Sequence, residues 1–162
     1  MSPRAAWRLE RLGFAEVYDF VHGKSFWLAL GLPTQGPGHR DPGVGSVIDR
    51  TEPVCHIGDT VAVARQVISH TSGWVECIVV NVEGVVAGRV RAEQLDNDPD
   101  IVVVDVMERG PTTIRPDDDL DTARQRMTKR NVESMVVTDP SGRLIGTLRL
   151  QDSAQNRSED AS

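Results

Sequence analysis

The sequence predicts an α/β fold in which one β-α-β-β-α unit is used twice in tandem, preceded by a small helix–strand–helix segment. Three observations predict it. Residues 78–90 (Ile-Val-Val-Asn-Val-Glu-Gly-Val-Val-Ala-Gly-Arg-Val) and 136–148 (Val-Val-Thr-Asp-Pro-Ser-Gly-Arg-Leu-Ile-Gly-Thr-Leu) share one layout: a β-branched run, a turn and a second apolar run. Gly84 and Gly142, like Gly88 and Gly146, stand 58 positions apart. Glycine supplies the positive φ of a tight turn, so each stretch reads as a hairpin, and a repeated unit implies two copies that bury apolar faces against each other. Finally, the chain is 39% apolar with only seven aromatic residues, which leaves Val, Ile, Leu and Ala to build the core and favours short strands.

Taken in order, Ala5, Ala6, Leu9 and Leu12 fall at helical spacing with Arg4, Arg8 and Arg11 opposite, and Gly13 follows as a C-cap. Phe14 and Val17 to Val21 alternate as a short strand. His22-Gly23 turns the chain into a second short helix, Lys24 to Leu30, closed by Gly31 and Pro33. Gln35 to Val44 is rich in Gly and Pro and reads as a linker. Copy one opens with an extended segment from Val47 to Ile57. Asp59 or Thr60 then caps a helix whose buried face is Val61, Ala64, Val67 and Ile68, and Ser72-Gly73 ends it. The hairpin follows, and Arg91 to Leu95 form one or two helical turns. Copy two repeats this order: an extended Val106 to Pro116, then Asp117, Asp118 and Asp119 at a helix N-terminus where the macrodipole favours them, then a stripe of Leu120, Ala123 and Met127. The second hairpin leads to a last helix starting at Leu150 to Ala154. The expected domains are therefore 1–36, a linker at 37–43, copy one at 44–98, copy two at 99–154 and a polar tail at 155–162.

Composition excludes several functions. A net charge of −6 and a pI near 5.2 argue against nucleic acid, which needs a basic face. No apolar run reaches about 18 residues, so no transmembrane helix is expected, and the N-terminus lacks the apolar core of a signal peptide. The chain is expected to be soluble and cytoplasmic, with Cys55 and Cys77 as reduced thiols. Neither a Ser/His/Asp set nor a pair of catalytic carboxylates stands out, so no enzyme is expected. Cys55, His56, His70 and Cys77 suggest zinc by type, but neighbours on a strand point to opposite faces and Cys77 aligns with the apolar Met135. No metal site is expected, and helix capping accounts for the Asp117–Asp119 run.

Two resemblances sharpen this reading. Arg4-Ala-Ala, Leu9-Glu-Arg-Leu-Gly-Phe-Ala-Glu-Val-Tyr-Asp-Phe20, Gly23, Trp27 and Gly31-Leu-Pro33 resemble the C-terminal end of a rhodanese domain. That family carries sulfur on a cysteine just before this helix. Here the first cysteine is Cys55, so the fragment is expected to be a structural appendage.

Residues 44–153 resemble a pair of CBS domains, a Bateman module, on Val106-Met, Pro111-Thr-Thr-Ile, Pro116-Asp, Leu120-x-x-Ala and Leu144-Ile-Gly-x-Leu-x-x-x-Asp152, with Ile48 in place of the Met in copy one. The resemblance implies two copies packed sheet to sheet with pseudo-twofold symmetry, a homodimer, and clefts that take AMP, ATP or S-adenosylmethionine as regulatory ligands. In such copies a hydroxyl and a carboxylate after the last strand hold the ribose, and the leading strand holds the adenine. The implied ligand set is Thr112, Thr113, Ile114, Met135, Arg149 and Asp152 in copy two, with Val54, Cys77, Arg91 and Gln94 in copy one. Arg149 and Arg91 occupy the hydroxyl positions. They either offer guanidinium forks to an anion in the two related clefts or act as surface residues, Arg149 pairing with Asp152. The expected function is a non-catalytic sensor of a small anionic, adenosyl-class ligand. The alternatives are a ligand-free dimerisation scaffold and, further off, a sulfurtransferase component acting with an unidentified protein partner.

Overall fold

The structure is a computed structural model that describes residues 3–18, 21, 23, 26, 27, 30–32 and 43–150. In helix α1 (Pro3–Arg11) Ala5, Ala6 and Leu9 are half-buried and Arg4, Arg8 and Arg11 exposed, as the spacing predicts, but Leu12, expected on the same apolar face, is 69% exposed beyond the end of the helix. Residues 14–18 are irregular, not the expected strand. Phe14 and Tyr18 are largely exposed, and an alternating run with no strand beside it among the described residues has no ladder partner for its backbone hydrogen bonds. Gly23, Phe26 and Trp27 have helical backbone, and Leu30 N–H reaches the Phe26 carbonyl at 3.1 Å. The rest of that helix and residues 33–42 lie outside the described residues. The linker expected to run through Val44 ends earlier. Val44 is fully buried in the copy-two core, and its N–H bonds Asp118 O at 3.0 Å.

Each copy then builds a small sheet with a helix on one face. In copy one, β1 (Val54–His56) runs parallel to β2 (Cys77–Val80), which pairs antiparallel with β3 (Val86–Val90); α2 (Val61–Ser69) makes the crossover. Two short helices, α3 (Ala92–Leu95) and α4 (Val103–Val106), lead into copy two. There β5 (Thr113–Ile114), β6 (Ser134–Thr138) and β7 (Leu144–Arg149) repeat the pattern around α5 (Leu120–Arg130). The turn chemistry is repeated too. Asn81 Oδ1 accepts from the N–H groups of Glu83 and Val85, both at 2.9 Å, and Asp139 Oδ1 accepts from those of Ser141 and Arg143 at 2.8 and 2.9 Å. Asp119 caps α5 by accepting from Thr122 N–H at 2.8 Å, which holds its carboxyl below the usual range. Asn131 ends α5 in the left-handed region at φ 51°.

The two copies are tied together in three ways. Ile78, Val80 and Val136 form an apolar cluster between the sheets, with Val54, Val86 and Leu144 against it. The hairpin tips meet across a pseudo-twofold: Val86 N–H donates to Gly142 O and Leu144 N–H to Gly84 O, each at 3.0 Å. Finally, the copies exchange edge strands. Strand β4 (Glu108–Arg109), leading into copy two, pairs with β3 of copy one, while Asp49, leading into copy one, bridges Thr147 of β7. The exchanged chains cross at Gly88 and Gly146. A Cβ at Gly88 would lie 2.7 Å from Glu108 O, and one at Gly146 2.5 Å from Asp49 O. Beneath the outer faces lie separate cores: Cys55, Ala64, Cys77, Val79, Val90 and Val103 in copy one, and Val44, Ile114, Leu120, Ala123, Met127, Met135, Val137 and Leu148 in copy two.

Candidate functional site

At the end of the sheets away from the hairpin tips, the pseudo-twofold opens into a cleft of about 550 Å³. Its walls are the segments that precede β2 and β6 (Gly73 to Glu76, Arg130 to Ser134) and the ends of β3 and β7. Because the lining is duplicated, its residues pair at the 58-residue offset: Gly73 with Asn131, Trp74 with Val132, Glu76 with Ser134, Arg91 with Arg149.

The copy-one wall is an ion-pair network. Arg89 Nε lies 3.3 Å from Glu108 Oε2 and its Nη1 3.7 Å from Glu76 Oε2. Arg91 Nε lies 3.5 Å from each of the same two oxygens. Ser134 donates its hydroxyl to Glu76 Oε1, joining the copies at symmetry-related positions. Arg89 is buried, and removing the partner of a buried charge costs about 3–5 kcal/mol, so this wall is built to keep its carboxylates. Gln94, outside the cleft lining, accepts from Arg91 N–H at 2.9 Å and caps the start of α3. On the copy-two wall, Arg149 places its guanidinium carbon 4.7 Å from the Trp74 ring centroid and donates to Gly73 O at 2.9 Å. Trp74 is buried, and its indole N–H has no partner among the described residues.

Of the residues singled out by sequence, Arg91 and Arg149 come together, in one shared cleft rather than in two. The others disperse. Ile114, Met135 and Cys77 are core residues, since alternate positions on these strands face the helices. Val54 packs between the sheets, and Thr112 and Thr113 are exposed away from the cleft lining. Asp152, and with it the expected Arg149–Asp152 pair, lies outside the described residues. Sequence reasoning missed Trp74, Glu76, Arg89, Arg130 and Ser134. No local pattern marks them, because they meet only across the two packed sheets.

The thiols behave as core groups. Cys55 is buried and His56 exposed, as strand alternation requires. The neighbouring Cys55 and burial push the Cys77 thiol well up. Among the described residues, no group of three or more His, Cys, Asp or Glu is arranged to hold a metal, and no helix is long and apolar enough to cross a membrane.

The family model of the CBS domain matches residues 103–152, the second copy. The CBS domains of a transcriptional regulator from Streptococcus pneumoniae superimpose with a TM-score of 0.64 at 20% identity, over 70% of this chain and 97% of that one. The fold is that of a CBS pair. The cytosolic domain of the Mg2+ channel MgtE in complex with ATP matches this pair with a TM-score of 0.63 at 21% identity, over 70% of this chain and 48% of that one. CBSX2 in complex with AMP matches with a TM-score of 0.65 at 18% identity, over 74% and 98%. The CBS pair thus spans about half the length of the channel domain. A search of curated protein sequences returned no match.

Proposed function

We propose that this CBS pair is a non-catalytic regulatory module that senses a small anionic, adenosyl-class ligand in the cleft on its pseudo-twofold. The observation that carries the reading is Arg149. It lines a cleft shared by both copies, lies over an aromatic ring, and has no carboxylate partner among the described residues. A guanidinium so placed can exchange its stacking contact for bidentate bonds to a phosphate. Structural neighbours solved with ATP and with AMP support the ligand class. Asp152 is the proposed ribose partner. A ligand touching both walls stabilises one relative orientation of the copies and shifts the population towards it. A homodimer through the CBS pair, and a rhodanese-like N-terminal appendage, belong to the same proposal.

A thermal-shift series with AMP, ADP, ATP, NAD and S-adenosylmethionine tests it, run on wild type, Arg149→Ala and Asp152→Ala. A ligand at a hundredfold excess over its Kd adds about 2.7 kcal/mol of stability. A shift that vanishes in Arg149→Ala supports the sensor. Shifts with none of the five refute it, and then the Arg89–Glu76–Arg91–Glu108 network favours the second reading, a scaffold whose cleft is held closed by its own charges. Sulfur transfer is the least supported reading, because both thiols are buried.

A further inference from the structure

The backbone around the cleft is duplicated, but its charges are not. In the copy-one half Arg91 is already neutralised by Glu76 and Glu108. The Glu76 side chain is 12% exposed, pairs with two arginines and accepts the Ser134 hydroxyl, so an arriving anion would have to displace a held carboxylate and leave it buried. In the copy-two half the position of Glu76 is taken by Ser134 and that of Arg89 by Thr147, neither of them charged. Among the described residues Arg149 is held there by a ring contact and one carbonyl, contacts weaker than a bidentate phosphate bond.

We propose that Glu76 is a built-in anion occupying the copy-one half of the cleft, so that each chain takes a single external phosphate-class anion, at Arg149 in the copy-two half. The inference rests on the anion-sensing reading above. It deepens that reading by naming where the negative charge sits and what excludes a second one. The pseudo-twofold alone would give two equal sites. The substitution of a carboxylate for a hydroxyl at one symmetry-related position removes one of them.

Titration calorimetry with AMP and with inorganic pyrophosphate tests this on wild type, Arg149→Gln, Glu76→Gln and Glu108→Gln. The expected result is one equivalent bound per wild-type chain and a loss of about tenfold or more in affinity in Arg149→Gln. Glu76→Gln keeps an acceptor for Ser134 while leaving Arg91 only the half-exposed Glu108 as a partner, and is expected to bind a second equivalent. Glu108→Gln alters a half-exposed carboxylate and leaves Glu76 to pair with the buried Arg89, so it disturbs the fold less; it is expected to show the same gain more weakly and decides the matter if Glu76→Gln fails to fold. Two equivalents on wild type, or no gain in either glutamate variant, overturn the role of Glu76 while leaving the sensor intact. No binding by any of the four proteins overturns the sensor reading and the inference with it.

Discussion

The exchange of edge strands makes a sharp prediction at Gly146. Replacing it by alanine adds a Cβ 2.5 Å from the Asp49 carbonyl oxygen, with Ile48 Cδ1 at 3.2 Å and Arg50 Cγ at 3.3 Å. Ordinary contact begins near 3.4 Å, so the crossing chain must retreat by roughly 0.9 Å. The retreating group is backbone, with no rotamer to absorb the move. The same residue makes both bonds of the bridge, Asp49 N–H to Thr147 O at 2.9 Å and Thr147 N–H to Asp49 O at 2.8 Å. A shift of that size takes both beyond the usual 3.2 Å limit. Two weakened hydrogen bonds at about 1 kcal/mol each, with overpacking of about 1–3 kcal/mol, give a loss of roughly 3–5 kcal/mol. In a chain of this length that lowers the Tm by roughly 6–20 °C. The assay is thermal and urea denaturation followed by circular dichroism. Gly58→Ala serves as control, since no heavy atom lies within 4 Å of the Cβ it would add. Gly88→Ala is expected to do less damage, because the flexible Met107 side chain provides one of its two tightest contacts. A Gly146→Ala protein melting within about 2 °C of wild type, or no worse than the control, would refute strand exchange as the tie between the copies.

Asn131 holds a left-handed φ of 51° at the end of α5, where copy one has Gly73 at φ 79°. Asn131→Gly should be neutral to slightly stabilising and Asn131→Val should cost about 1–2 kcal/mol, read from urea midpoints. Burial and the nearby Asp49 raise the carboxyl of the half-buried Glu52, and its Oε2 has no partner among the described residues. A carboxyl raised in the folded state contributes stability below its unfolded pKa and loses it as pH rises through the folded value. Glu52→Gln should therefore raise the Tm at pH 7, with the advantage shrinking as pH falls into the usual carboxylate range; an equal Tm at pH 7 would count against it. Cys55 and Cys77 should both resist a water-soluble thiol reagent in the native protein and both react in denaturant; fast labelling of native protein would contradict their burial.

Much of this fold was legible because it was written twice. The hairpins announced themselves through local chemistry: β-branched runs, Asn81 or Asp139 to accept the turn N–H groups, and a glycine three residues on. The helical faces were equally readable, since Ala64, Ala123 and Met127 follow the helical period and are buried as predicted. These features depend on neighbours in sequence. The strand expected after α1 failed because a strand depends on a partner, and residues 14–18 have none beside them in the described structure.

The cleft belongs to the other category. The 58-residue repeat and the arginines at positions 91 and 149 were visible in the chain, but not that the two would share one cavity. That follows from the crossing of the copies at Gly88 and Gly146, which turns equivalent strand ends towards a common axis. Nor could the chain show that Trp74 would lie under Arg149, 75 positions away, or that Glu76 would neutralise Arg89 and Arg91 while its counterpart Ser134 left Arg149 without a carboxylate among the described residues. Hairpin and helix register are set by contacts a few residues apart, which composition and spacing encode directly. The charge balance of a cleft is set by which side chains meet across two packed sheets, and only the tertiary arrangement decides that.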